Sequence, residues 1–151
     1  EEGLPPAQLV TRLNRALCQR CPSNRFVTFF FAVLDPASGE LAYANAGHNP
    51  PYVLRADGSV DTLESTGIVL GLMGHMAYGE KSLVMHPGDR LVLFSDGVTE
   101  AVSAQNPDDE FGEDRLIECL RSPVSAADLI DHILTTLNRF TQGAPPHDDV
   151  T

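Results

Sequence analysis

Two acids placed at the ends of apolar runs are where this chain can do chemistry. The run Arg90-Leu91-Val92-Leu93-Phe94-Ser95 stops on Asp96, and Gly97 follows at once. Far along the chain, a second acid pair stands in His147-Asp148-Asp149-Val150-Thr151. A carboxylate at the end of a strand is held on a rigid support, and a glycine beside it lets the backbone turn and a ligand approach. Asp-Gly is also a common turn pair. Acids from separate strands that converge at one end of a sheet suit Mg²⁺ or Mn²⁺, which prefer oxygen donors. Two such cations acidify a bridging water and neutralise phosphate charge.

Bulk properties narrow the classes around this pair. A chain of 151 residues is long enough for one domain with a real core, and 42% hydrophobic with 21% charged residues is ordinary for a globular protein. The net charge of −11 disfavours nucleic acid and anionic membrane surfaces as partners. No apolar run approaches a membrane span, and no secretion leader is visible, so a cytoplasmic setting is expected. The three cysteines, Cys18, Cys21 and Cys119, are an odd number, which argues against a disulfide framework. Cys18-Gln19-Arg20-Cys21 has no second pair to complete a zinc site and falls at a helix end, so the cysteines read as structural.

The elements that must position the acids follow from periodicity. Pro6 to Arg20 is predicted as an amphipathic helix, with Leu9, Leu13, Ala16 and Leu17 at helical spacing. Arg25 to Leu34 reads as a buried strand, Asp35-Pro36-Ala37-Ser38-Gly39 as a turn, and Glu40 to Asn45 as the returning strand. Tyr52 to Arg55 and Val60 to Leu63 form a second hairpin. Glu64 to Gly79 is glycine-rich and loop-like, and matches no nucleotide-binding spacing. Glu80 to Met85 and Arg90 to Phe94 are further strands joined by a turn, and Val98 to Val102 is a short helical turn. Glu113 to Leu120 is a short helix. A last helix is capped by Ser125, with Asp128 three residues on, and has Ile130, Ile133, Leu134, Leu137 and Phe140 as its apolar face. Antiparallel strands followed by segregated helices read as α+β.

Five segments in order resemble a known family. They are Phe26-Val27-Thr28, Leu41-Ala42-Tyr43-Ala44-Asn45-Ala46-Gly47-His48-Asn49-Pro50-Pro51, Pro87-Gly88-Asp89-Arg90-Leu91, Ser95-Asp96-Gly97-Val98-Thr99-Glu100-Ala101 and His147-Asp148-Asp149-Val150-Thr151. Together they resemble the SpoIIE-type (RsbU-like) serine phosphatases of the metal-dependent type 2C protein phosphatase superfamily. The resemblance implies a β-sandwich of antiparallel sheets flanked by helices, with a two-metal site holding Mn²⁺ or Mg²⁺. It implies hydrolysis of phosphoserine or phosphothreonine by metal-activated water. The substrate it implies is a phosphorylated regulatory protein, a STAS-type anti-sigma-factor antagonist.

By the same resemblance Asp96 and Asp148 are the catalytic metal ligands, and Gly97, Glu100, Asp149 and His48 surround them. Asp149 stands where many relatives carry asparagine, and Glu100 is an acid that acts through water. His48 aligns with an aspartate of eukaryotic relatives that helps bind a further metal. Its favoured reading here is a loop histidine that hydrogen-bonds backbone and fixes the Asn49-Pro50-Pro51 bend. The family's first signature, a strand ending in Gly-Asp-Val whose aspartate bridges the metals, has no match. Residues 1–151 are therefore expected to be a single partial domain, truncated at both ends. Such a piece should bind metal weakly, lack activity as it stands, and form a homo-oligomer through unpaired sheet edges. A catalytically silent interaction module of the same fold is the alternative.

Overall fold

The computed structural model describes residues 3–22, 24–144 and 148–151. Its elements are α1 (Pro6–Arg20), β1 (Phe29–Leu34), β2 (Glu40–Ala46), β3 (Tyr52–Leu54), β4 (Val60–Thr62), β5 (Lys81–Val84), β6 (Arg90–Val92), α2 (Asp96–Thr99), α3 (Gly112–Leu120) and α4 (Ala126–Thr141). The chain divides into two compact units, residues 1–50 with 62–87 and residues 51–61 with 88–151.

In the first unit a three-stranded antiparallel sheet runs in the order β1-β2-β5. The β1–β2 hairpin pairs Phe29 with Ala46 through to Leu34 with Leu41. Its turn is set by Asp35, which accepts from the Ala37 amide (2.9 Å) and the Ser38 hydroxyl (2.6 Å). These bonds, the Ser38 hydroxyl first, hold the Asp35 carboxyl below its usual range. Gly39 closes the turn at φ +75°, with Met85 O only 2.5 Å from where a Cβ would stand. Amphipathic α1 lies on β2, where Ala44 and Ala46 are small enough to admit it. Val10, Ala44, Ala46, Leu70 and Tyr78 form the buried cluster, flanked by Leu9, Leu13 and Leu17. Asn14, fully buried, donates to Met73 O (2.8 Å) and accepts from Gly71 N (2.9 Å), tying the glycine-rich loop to α1.

In the second unit the sheet order is β4-β3-β6, and β3 and β6 are antiparallel with Tyr52 opposite Val92. Arg55 bridges Asp61 (2.5 Å) and the nearly buried Asp89 (2.7 Å), which also accepts from the Ala56 amide (3.0 Å). The core gathers Tyr52, Leu54, Phe94 and Val98 with Phe111, Leu116 and Leu120. Leu129 and Leu137 of α4 complete it.

Several expectations are corrected here. The strand from Arg25 contracts to Phe29–Leu34 and is half-buried rather than buried, because it forms a sheet edge with Val33 and Leu34 exposed. Likewise β6 ends at Val92 and is half-buried at an edge. β5 and β6 do not pair with each other, and each joins a different sheet. The helical turn after Ser95 starts at Asp96 rather than Val98. On α4 the inward stripe runs through Leu129, Ile133 and Leu137, leaving Ile130 (66%) and Leu134 (39%) exposed. Ser125 caps this helix as expected, accepting from Asp128 N, but Asp128 receives the Ser125 hydroxyl rather than reaching the backbone. Ser23, Pro145, Pro146 and His147 lie outside the described residues.

Candidate functional site

The site is built where β6 gives way to α2. Ser95 is extended, at φ −88° and ψ 162°, and is the N-cap of α2. A serine there ordinarily turns its hydroxyl onto the first helical amides. Here the hydroxyl caps nothing in α2 and instead holds the C-terminal segment. Ser95 Oγ donates to Asp149 O (2.7 Å) and accepts from Thr151 N (3.0 Å). The Ser95 amide donates to Thr151 O (3.0 Å). Three hydrogen bonds therefore staple residues 149–151 beside the start of α2.

Gly97 makes this approach possible. It is buried, and a Cβ built on it would lie 2.5 Å from Asp149 O, 2.9 Å from Asp149 C and 3.1 Å from Asp148 O. Its φ is not in the left-handed region, so the need for glycine is close contact rather than backbone shape. The sequence places Asp96 and Asp148 at two distant strand–loop junctions, and this contact brings their backbones together.

Each carboxylate is oriented by a neighbouring amide. Asp96 Oδ1 accepts from Gly97 N (3.0 Å), and Asp148 Oδ1 accepts from Asp149 N (2.7 Å). The Asp96 carbonyl is taken by the Glu100 amide (2.8 Å) and the Thr99 hydroxyl (3.3 Å), which closes the short helix. Glu100 is exposed just after that turn, and Asp149 is exposed beside Asp148. Among the described residues no basic side chain forms an ion pair with Asp96 or Asp148. Asp96 and Asp148 are thus oriented carboxylates with no ion-pair partner among the described residues, the donor type that hard divalent cations prefer. No group of three or more His, Cys, Asp or Glu is arranged to hold a metal ion among the described residues.

His48 lies in the first unit and is held through its backbone. Its amide donates to Asn45 Oδ1 (2.9 Å), and its carbonyl accepts from Asn45 Nδ2 (3.1 Å). Asn45 is fully buried and also reaches Leu63 O (3.2 Å). Asn45 and Ser95 are the positioning residues that sequence reasoning missed. The available signal was chemical: asparagine inside an apolar strand and serine at its end are disfavoured unless their side chains are used.

Comparison with known proteins gives a consistent result. The family model described as "Stage II sporulation protein E (SpoIIE)" matches residues 1–151. The chain is 38% identical over 128 residues to Protein IcfG of Synechocystis, covering 83% of this chain and 20% of that protein. It is 33% identical over 152 residues to phosphoserine phosphatase RsbU of Bacillus subtilis, covering 100% of this chain and 45% of RsbU. The chain thus spans less than half the length of these relatives. Among solved structures, the SiaA-PP2C domain of Pseudomonas aeruginosa superposes at a TM-score of 0.83 and 20% identity, over 97% of this chain and 58% of that one. The phosphatase domain of SpoIIE from Bacillus subtilis, presoaked with Mn, gives 0.69 and 17%, over 100% and 65%. The fold is therefore α+β of the type 2C phosphatase kind.

Proposed function

Because this chain belongs to the SpoIIE family, we propose that residues 1–151 are part of one phosphatase domain, which hydrolyses phosphoserine or phosphothreonine on a regulatory protein. The observation that carries the reading is the Ser95–Gly97 staple, which joins Asp96 to the Asp148-Asp149 segment. RsbU and RsbP of Bacillus subtilis, both named phosphoserine phosphatases, are relatives over nearly the whole chain. A STAS-type anti-sigma-factor antagonist is the substrate that fits such relatives.

Asp96 and Asp148 are the residues that would hold Mn²⁺ or Mg²⁺, two ions in the complete domain. Solved neighbours include PstP in complex with two manganese ions. When bound, a divalent cation supplies an acidified water and neutralises phosphate charge. The chain's own residues provide the frame. Amides of Gly97 and Asp149 fix one oxygen of each carboxylate, and Ser95 fixes the segment that carries the second acid. Asp149 and Glu100, both exposed, would hold water near the acids. His48 shapes the loop before Pro50-Pro51 through its backbone. No helix among the described residues is long and apolar enough to cross a membrane. The net charge of −11 fits a protein with neither nucleic acid nor membrane as partner, and our reading adds a cytoplasmic setting and self-association through sheet edges.

The silent interaction module remains the second reading, favoured by the absence of a three-ligand group among the described residues. Asp96→Asn separates the two. In the protein that carries this domain, the phosphatase reading predicts loss of Mn²⁺-dependent p-nitrophenyl phosphate hydrolysis with an unchanged circular dichroism spectrum. Unchanged hydrolysis in the variant would reject Asp96 as a metal ligand, and a metal-independent wild type would reject the reading as a whole.

A further inference from the structure

A second site lies between α3 and α4, in the same unit as the acids but sharing no lining residue with them. It is a cleft of about 550 Å³, within the size range of small-molecule sites. The chain carries 21 acidic against 10 basic residues, yet the cleft is lined by Arg115, Arg139 and His132 with Glu118 as its one carboxylate. Arg115 is paired with Asp109, so Arg139 is the guanidinium of the cleft that has no carboxylate partner among the described residues.

The cationic groups are prepared for a ligand. Arg115 is locked in place: Nη1 donates to Glu110 O (2.5 Å) and Phe111 O (3.2 Å), and Nη2 to Asp109 (3.1 Å). Its guanidinium sits 4.7 Å from the centre of the Phe140 ring. Phe140 thus packs against that guanidinium, and both line the cleft. Arg139 has no carboxylate partner among the described residues. His132 Nε2 is 2.9 Å from Ser122 Oγ, and Thr136 Oγ1 donates to His132 O (2.9 Å). Hydroxyl, imidazole and guanidinium groups thus line the cleft together with Phe111 and Phe140, whose rings meet edge to face at 5.5 Å. Cys119 also lines the cleft, but burial pushes its thiol up, so it serves as apolar wall rather than nucleophile.

We propose that this cleft binds a small organic phosphate with a planar aromatic body, of the nucleoside monophosphate class. The phosphate meets Arg139 and the Ser122–His132 pair, and the base stacks on the Arg115 guanidinium. The proposal does not depend on the phosphatase reading. It is tested by calorimetric titration with AMP in EDTA, which removes divalent cations from the Asp96 region. AMP is expected to bind saturably, with adenosine and ribose 5-phosphate each at least roughly tenfold weaker, since each lacks one half of the recognition. Arg139→Ala, at an exposed position, should weaken AMP roughly tenfold while leaving the melting temperature unchanged, with partial recovery in Arg139→Lys. Asp96→Asn should leave AMP binding untouched. Absence of saturable binding, equal binding of all three probes, or full affinity in Arg139→Ala would each overturn the site.

Discussion

Replacing Gly97 with alanine sets two local effects against each other, and the geometry says which wins. Gly97 lies within α2 at ordinary φ, so helix propensity alone favours alanine by about 1 kcal/mol. Against this, the new methyl would sit 2.5 Å from Asp149 O and 2.9 Å from Asp149 C, both backbone atoms with no rotamer to escape into. Absorbing such a contact in place costs about 1–3 kcal/mol. Releasing residues 148–151 instead gives up chiefly the three Ser95 hydrogen bonds, about 1 kcal/mol each and less near solvent. Release therefore costs about as much as the upper end of strain, and the net stability change stays within about 2 kcal/mol. Global stability will change little, while Asp148 is separated from Asp96. Amide hydrogen exchange reads this directly. In Gly97→Ala the Thr151 and Ser95 amides should lose protection while core amides such as Val53 keep theirs. Ser95→Ala, which removes both hydroxyl bonds, should show the same pattern. Retained protection at Thr151 in Gly97→Ala would refute the close-approach argument.

Further outcomes follow from buried polar groups. Asn14→Ala leaves Met73 O and Gly71 N without their partner beneath α1, and should cost about 2–4 kcal/mol in urea unfolding. Arg55→Ala removes the guanidinium from the nearly buried Asp89 carboxylate and should cost about 2–4 kcal/mol, which Arg55→Lys should recover only in part because a single ammonium cannot reproduce the forked contact to Asp61 and Asp89. Tyr43 and Tyr78 have phenol pKa values raised above 10, chiefly by burial, with Glu64 adding to Tyr43. A raised value means the folded state holds its proton more tightly than the unfolded chain. The contribution is therefore complete below about pH 10 and is lost as pH rises through the folded values. Alkaline melts should fall in that window, and Tyr43→Phe should flatten the fall; an unchanged slope would reject burial as the cause.

Much of this molecule is legible in the order of its residues. α1 spans Pro6–Arg20 as the periodicity and the opening prolines predict, and the hairpin turn at Asp35–Gly39 follows from its aspartate, serine and glycine. Asp96 reads as an acid ending an apolar run, and Asp148 as an acid where a loop enters a strand. What periodicity could not show was which segments meet. Asn14 serves partners 57 and 59 residues away, and Ser95 serves partners 54 and 56 residues away. Such side chains look like ordinary polar positions until the fold supplies their acceptors. The strands β1 and β6 read as buried because their side chains are apolar, yet edge position leaves them half-buried. Likewise Ile130 looks like core by type and spacing, but the helix turns Leu129 inward instead.

Asp96 and Asp148 are the proposed metal centre of a phosphatase. The most direct test is hydrolysis of p-nitrophenyl phosphate with and without Mn²⁺, on this chain and on a chain extended at both ends, each compared with Asp96→Asn. Turnover is expected in the extended protein, requiring Mn²⁺ and disappearing in Asp96→Asn while the fold persists. Turnover without metal, or full activity in Asp96→Asn, would contradict it.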